Sequence, residues 1–210
     1  MKKGLLIFAL VLQAIAVKAA DTIPFTFQNE ELSKVIEAYS KASGQKFILD
    51  PGVRGRVTIL MPEKISVEEA FNQLSSALAV NGFAISKQGD TMVIMTARNI
   101  QRNLLEVTTQ VPALKPERMV SYIYTPKYLT VDVLNRDLRI LPSRDGEMNS
   151  FMPKNQLIIN DWSSNVNRVA QLLAELDKPN SPETQKLVDM MKKNSEARHA
   201  QKVKEEKAQK

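Results

Sequence analysis

Side chains that commonly perform catalysis are scarce in this sequence. It contains no cysteine, and its one histidine, His199, lies in a polar C-terminal stretch. A cysteine nucleophile is therefore excluded, and serine triads and histidine-rich metal sites are disfavoured. The acidic pairs Glu30-Glu31 and Glu68-Glu69 open predicted helices, where negative charge interacts favourably with the helix dipole. We therefore predict no catalytic residue, no metal site, no cofactor and no enzymatic activity.

Glycine motifs that cradle phosphates are also missing, because no GxxxxGK[ST] or GxGxxG run occurs. The run Gly52-Val53-Arg54-Gly55 does fit the GXXG loop with which KH domains clamp a nucleic-acid backbone. That loop joins two helices, whereas this run leads into the strand pattern of Val57-Thr58-Ile59. A connection between strands explains the glycines, so we predict no nucleic-acid partner. The predicted structural turn comprises Asp50, Pro51, Gly52, Val53, Arg54 and Gly55.

The N-terminus has the pattern of a secretory signal peptide. Lys2 and Lys3 precede an apolar run over residues 5–17, which is shorter than the roughly 20 residues of a spanning helix. A transmembrane anchor is therefore the weaker interpretation. Small residues follow, and we expect cleavage between Ala19 and Ala20, with residues 1–19 as the signal peptide. The absence of cysteine leaves no lipid-anchored cysteine and no disulfide.

The formal net charge of +6 is concentrated at the two ends of the chain. Residues 179–210 carry eight basic and five acidic residues, whereas residues 20–178 carry 18 of each sign. The neutral body argues against nucleic-acid binding. The tail, residues 180–210, is predicted to be a charged helical or disordered segment. It is either solvated or an arm that binds a partner or an anionic surface.

Residues 21–97 are predicted to form a first domain with the order β-α-β-β-α-β-β. Apolar residues alternate over residues 23–27, as in a half-buried strand. Asn29 is a candidate cap for the first helix, and Gly44 a candidate end. Ser66-Val67-Glu68-Glu69 has the spacing of a capping box for the second helix. Both helices have one apolar face, which implies packing on a mixed sheet.

Residues 98–118 have weak periodicity and are interpreted as a linker. Residues 119–179 then predict a second domain with the order β-α-β-β-α, in which Thr130 is the candidate cap of the first helix. Asp177-Lys178-Pro179 is the candidate end of the last helix. The predicted fold class is α+β, with two small mixed-sheet domains followed by the charged tail.

Residues 23–96 resemble the N-terminal domain of bacterial outer-membrane secretins, a short module that also begins some TonB-dependent receptors. The resemblance is carried by Gly44, by the run from Phe47 to Thr58 and by Gly82-Phe83-Ala84-Ile85, and it is closest to type II secretion secretins. Residues 122–179 are similar to the KH-like secretin repeat that follows this domain. Here the resemblance is carried by Leu157-Ile158-Ile159-Asn160-Asp161, Asn165 and the run from Leu172 to Pro179.

The resemblance implies stacked periplasmic rings whose first domain faces the inner-membrane apparatus and the secreted substrates. Implied partners are a secretin or inner-membrane secretion-system proteins, secreted substrates, and further copies in a homo-oligomeric ring. The membrane would be contacted only through such a partner. Secretins continue into more repeats and an outer-membrane pore. We therefore expect either an independent periplasmic accessory or the front piece of a split or truncated secretin.

The function that these features predict is a periplasmic binding and assembly module of a secretin-type export machine, for type II secretion or a type IV pilus. A stand-alone periplasmic adaptor for a ligand or peptidoglycan is an alternative of a different class. A signalling domain of the TonB-receptor type is another, although the second domain disfavours it. Monomeric domains with blunted sheet edges are also compatible with the composition.

Overall fold

The computed structural model describes residues 22–103 and 105–208. The predicted signal peptide over residues 1–19, with its cleavage site at Ala19 and Ala20, lies outside the described residues. The strands are β1 (Thr22–Ile23), β2 (Phe27–Glu31), β3 (Lys46–Leu49), β4 (Arg56–Ile59), β5 (Ile65–Ser66), β6 (Phe83–Gln88), β7 (Thr91–Thr96), β8 (Glu106–Thr108), β9 (Met119–Tyr124), β10 (Glu147–Phe151) and β11 (Gln156–Trp162). The helices are α1 (Leu32–Ser43), α2 (Val67–Val80), α3 (Ala97–Asn103), α4 (Val131–Leu138), α5 (Ser163–Leu176) and α6 (Pro182–Ala208).

The first domain packs α1 and α2 against three small sheets. The largest has the order β3-β7-β6, with β3 parallel and β6 antiparallel to β7, while β2 pairs with β4 and β1 with β5. The predicted element order is therefore observed, with β1 and β5 as short additions. The fully buried side chains of its core include Phe25, Leu32, Val35, Ile36, Leu74, Leu78 and Ile94.

Of the three helix-end predictions for this domain, the Gly44 end is confirmed and the capping box is formed only in part. Gly44 adopts the left-handed conformation at φ 71° and closes α1 through its N–H, which donates to the Ser40 carbonyl at 2.8 Å. The Ser66 hydroxyl accepts the Glu69 N–H at 3.1 Å and caps α2. The Glu69 carboxylate does not complete the capping box, because it accepts from the Asn72 and Gln73 side chains instead.

The prediction that Asn29 caps α1 is wrong. Asn29 lies within β2 at φ 49°, where the pairing with β4 shifts register, and its side-chain oxygen accepts from Arg56 Nε at 3.0 Å. The helix begins at Leu32, whose N–H donates to the Gly55 carbonyl at 3.0 Å. A contact with a distant strand therefore replaces the local cap.

The second domain is a four-stranded sheet of order β10-β11-β9-β8 with α4 and α5 packed on it. From β9 to α5 the order is the predicted β-α-β-β-α, and β10 and β11 form an antiparallel hairpin. Thr130 does not cap α4 with its side chain. Asn155, at the hairpin connection, accepts the Val131 N–H at 2.9 Å in its place. The core includes Val120, Leu134, Leu157, Ile159, Val166 and Leu173.

The interpretation of residues 98–118 as a linker is wrong for its first half. This stretch contains most of α3 and all of β8, which pairs in parallel with β9 and extends the second sheet. Ala97 and Ile100 of α3 are buried in a separate apolar cluster with Ala84 of the first domain and with Met119 and Trp162 of the second. Only tertiary contacts stabilise such short elements, so the sequence pattern there is weak.

The tail forms the long helix α6. The Ser181 hydroxyl accepts the Thr184 N–H at 3.1 Å at its start, and the side chains from Pro182 to residue 198 are exposed. Leu187, Met190 and Met191 are among the exposed apolar side chains. In the described part of the chain, no helix combines the length and apolarity that crossing a bilayer requires.

Candidate protein-binding surfaces

The predicted turn from Asp50 to Gly55 connects β3 to β4. Asp50 Oδ1 accepts the Gly52 N–H at 2.7 Å, and the Asp50 carbonyl accepts the Val53 N–H at 2.9 Å. Gly55 has φ 138°, a conformation that favours glycine, and a Cβ there would lie 3.0 Å from Asn81 Oδ1. Pro51 and Arg54 are exposed. The hydrogen bonds of the turn are thus made within its own domain.

Two carboxylates in the second domain are buried, and the sequence predicted hydrogen-bonding roles for neither, although Asp177 does follow the end of α5 as predicted. Asp161 is fully buried and accepts from the Ser143 N–H at 2.7 Å, the Ser143 hydroxyl at 2.6 Å and the Asn165 amide at 2.6 Å. The Trp162 N–H donates to it as well, at 2.8 Å. Asp161 therefore links the loop between α4 and β10 to the start of α5. The positions at which its carboxylate oxygens can accept hydrogen bonds are occupied.

Asp177, which directly follows α5, is the second of these carboxylates. It accepts the backbone N–H groups of Lys127, Tyr128 and Leu129 at 2.6, 2.8 and 3.0 Å, and the Tyr124 hydroxyl at 2.9 Å. Burial raises the pKa of the Asp177 carboxyl, but these four donors outweigh burial and hold the pKa below its ordinary value. Burial and the Asp177 charge together raise the pKa of Tyr124. At neutral pH, Asp177 is thus an anion that holds the loop from Lys127 to Leu129.

A groove runs between the unpaired edge of β4 and α2. It is lined by Val57, Ile59, Met61, Gln73 and Ala77, with Leu60 and Val80 on its border, and has a volume of about 290 Å³. Leu60 is 61% exposed and Val80 is 87% exposed. Among the strands that the structure describes, β4 pairs only with β2, so its other edge has unpaired backbone groups beside this apolar surface. We call this surface the β4 groove.

The comparison with protein-family models places the first domain among known modules. The model described as "GspD-like, N0 domain" matches residues 25–94, which include the turn and the β4 groove. Residues 25–94 are therefore similar to the GspD N0 domain, and we refer to this part of the chain as the N0 domain.

Similarity to type II secretins extends beyond the N0 domain. The secretin XcpQ of Pseudomonas aeruginosa is 24% identical over 154 residues, which cover 73% of this chain and 23% of XcpQ. The secretin GspD of Vibrio cholerae is 21% identical over 186 residues, 87% of this chain and 28% of GspD. The chain is therefore homologous to type II secretins, and it spans about a quarter of the length of the curated relatives that it matches.

A solved structure of the type II secretion system outer membrane complex of Klebsiella pneumoniae has the same fold. That structure contains PulD, PulS and the PulC HR domain. The TM-score is 0.61 at 18% identity, over 73% of this chain and 26% of the matched chain. The predicted α+β fold, with a secretin-type N-terminal architecture, is thereby confirmed.

A second cleft, of about 430 Å³, lies where the N0 domain meets the second domain. Its apolar lining comprises Phe71, Ile85, Met92, Leu105 and Met119, with Lys87 and Arg118 among its charged residues. The Ser75 hydroxyl, in a residue only 2% exposed, also lines it and has no hydrogen-bond partner. Residues of both domains form this cleft, so it depends on the junction that the sequence interpretation missed.

Within the described residues, no group of three or more His, Cys, Asp and Glu side chains could hold a metal ion. The two buried acids, Asp161 and Asp177, lie in separate hydrogen-bond networks. The open surfaces of the N0 domain are instead a strand edge and apolar grooves, which suit contacts with other polypeptides.

Proposed function

We propose that this chain is a periplasmic binding and assembly module of a type II secretion machine, and that it acts through contacts with other proteins. The observation that carries the proposal is the extent of the homology. The alignment with XcpQ covers 154 residues, which is more than either domain alone can supply. The N0 match and the confirmed fold support the same assignment.

The β4 groove is the proposed docking surface for an inner-membrane or secretin partner. An unpaired strand edge binds an added strand through main-chain hydrogen bonds, and the adjacent groove can take that strand's apolar side chains. Leu60 and Val80 provide the exposed apolar border that such a contact would cover. The Klebsiella structure supports protein partners, because PulD occurs there with PulS and the PulC HR domain.

Further copies of the chain are proposed partners for the second domain. β10 and β8 are the two end strands of its sheet, and Phe151 of β10 is 43% exposed. End strands are the positions at which sheets extend between subunits. Secreted substrates are a further proposed class of partner. Association with the outer membrane would then be indirect, through a secretin.

The test is capture of partners from detergent-solubilised cell envelopes with the tagged, exported chain. We expect recovery of secretin or inner-membrane secretion components. Leu60→Glu and Val80→Glu should each reduce recovery at least about tenfold, because a carboxylate would have to be buried in the contact. The matched control is Ile140→Glu in the second domain, where Ile140 is 82% exposed outside the groove.

Two outcomes would contradict this proposal in different ways. Recovery of no secretion component by the unchanged chain, together with binding to purified cell-wall sacculi, would favour a peptidoglycan-binding adaptor. Undiminished recovery by both groove variants would leave the secretion role intact but remove the β4 groove as its docking surface.

A further inference from the structure

A polar cleft lies on the opposite side of α3 from the buried junction residues. Arg98 and Arg102 lie four residues apart on one exposed face of the helix, away from Ala97 and Ile100, which are both 1% exposed, and the half-buried Gln101 lies at the border between the two faces. The loop before β10 forms the other wall. The cleft has a volume of about 410 Å³, and its lining side chains are Arg98, Gln101, Arg102, Arg144, Asp145 and Glu147. We call it the arginine cleft.

The cations of the arginine cleft are incompletely neutralised. Arg144 pairs with Asp145 at 3.7 Å, and Arg98 donates only to the Arg144 carbonyl, at 3.4 Å. Across residues 22–103 and 105–208, neither Arg98 nor Arg102 forms an ion pair. Two guanidinium groups on one helical face are therefore available to an anionic ligand.

Gln101 supplies a second, independent indication of a ligand. Its amide nitrogen Nε2 is buried and has no acceptor among the residues that the structure describes. A buried donor without a partner is destabilising, and such groups commonly mark functional positions. An acceptor oxygen bound in the arginine cleft would satisfy this donor while pairing with the neighbouring arginines.

Both walls of the arginine cleft are held in place by the fold. The apolar face of α3 is buried in the junction cluster. On the opposite wall, Gly146 lies so close to Asp161 that a Cβ would be 2.3 Å from Oδ2, and the Ser143 N–H donates to the same carboxylate oxygen. The site is thus preorganised, which lowers the entropic cost of binding.

The lining favours a particular kind of anion. Asp145 and Glu147 lie among the arginines, so a phosphate, with its charge concentrated on one group, would be repelled by both. In a peptide, carboxylates are spaced along the chain and alternate with N–H donors. The carboxylates can pair with Arg98 and Arg102, while the N–H groups can donate to Asp145 and Glu147.

We propose that the arginine cleft, formed by Arg98, Gln101, Arg102 and Arg144, binds an acidic peptide segment of a protein partner. The inference rests on the proposed function as a protein-binding module and adds the chemistry of one contact. Because residues of α3 and of the second domain both line the cleft, a bound acidic segment would bridge the domain junction.

The test is calorimetric titration of the full chain with hexaglutamate that is acetylated and amidated at its ends. We expect saturable binding that Arg98→Gln with Arg102→Gln weakens at least about tenfold, through loss of charge-assisted hydrogen bonds. The matched control is Arg139→Gln, an exposed arginine outside the cleft, which should bind like the unchanged chain. Hexaglutamine and inorganic phosphate serve as comparison ligands and should bind much more weakly.

Gln101→Met separates a binding role from a structural one. The substitution removes the unpaired donor, so it should raise the Tm of the free protein and yet weaken hexaglutamate binding. A variant that loses stability without losing affinity would contradict the proposed role of Gln101.

Three results would overturn the inference: no hexaglutamate binding, equal loss in the Arg139→Gln control, or phosphate binding as tightly as hexaglutamate. Failure of envelope capture with hexaglutamate binding retained would instead contradict the proposed secretion role alone. Successful capture without hexaglutamate binding would contradict only the arginine cleft.

Discussion

The two domains are stabilised by different kinds of interaction. The N0 core is apolar and aromatic: Tyr39 packs against Phe25, Phe47 and Phe71 with ring centroids 5.7 to 6.2 Å apart. Among the described residues, the fully or nearly fully buried acids, Asp161 and Asp177, both lie in the second domain. The stability of the first domain is thus distributed over many small apolar contacts. In the second domain, two buried carboxylates each accept several hydrogen bonds, so part of the stability is concentrated at two side chains.

The largest expected effect tests this concentration directly. Asp177→Ala should destabilise the second domain by about 3–5 kcal/mol, because it leaves three backbone N–H groups and the Tyr124 hydroxyl without an acceptor. Urea unfolding followed by fluorescence of Trp162, the single tryptophan, measures the change. Asp137→Ala, at an exposed acid on α4, is the control and should change stability by less than about 1 kcal/mol. Equal effects of the two substitutions would show that burial of the carboxylate is unimportant.

A pair of glycine substitutions tests the same difference between the two domains, with expected losses of stability of intermediate size. Gly146→Ala should cost about 2 kcal/mol or more, because the new Cβ would overlap the Asp161 carboxylate in a tightly bonded network. Gly44→Ala in the N0 domain should cost about 1 kcal/mol, since its Cβ would enter open space and only the left-handed conformation opposes it. Thermal unfolding of both variants measures which substitution costs more stability. A larger loss of stability for Gly44→Ala would contradict the prediction that the Asp161 hydrogen-bond network is the more sensitive site.

The smallest expected effect is a difference in acid sensitivity. Because the folded-state pKa of Asp177 is lowered, its stabilisation is complete above the ordinary carboxyl pKa of about 4 and is lost as the pH falls through the folded-state value. The lowered pKa values of Glu30, Glu37 and Glu69 in the N0 domain belong to exposed groups, whose contributions are screened by solvent. Hydrogen exchange between pH 7 and pH 3 should therefore show the second domain losing protection first. Simultaneous loss in both domains would contradict this order.

The sequence predicted those parts of the fold that depend on local contacts. Gly44 ends α1 and Ser66 caps α2 because both act on backbone groups within four residues of themselves. Asn29 and Thr130 satisfy the same local rule, but the Gly55 carbonyl accepts the Leu32 N–H and the Asn155 side chain accepts the Val131 N–H, each from a connection distant in sequence. Tertiary contacts therefore replaced the local preference at both positions.

The candidate binding surfaces were less predictable for the same reason. The motif residues Asp161 and Asp177 belong to the runs that carry the secretin resemblance, yet their role depends on donors 18 to 53 residues away in the chain. Arg144 is more than 40 residues away from Arg98 and Arg102 in the sequence, and only the docking of α3 at the junction places the three in one cleft. A short helix with two buried apolar residues gives too weak a periodic signal to predict that docking.

The tail helix α6 is much longer than the helices of the two domains. At 1.5 Å per residue, its 27 residues form a helix roughly 40 Å long. From Pro182 to residue 198 its side chains are exposed, so this part of the helix buries no face against the sheets. A ligand bound near its far end would consequently lie roughly 40 Å from the start of the helix at Pro182.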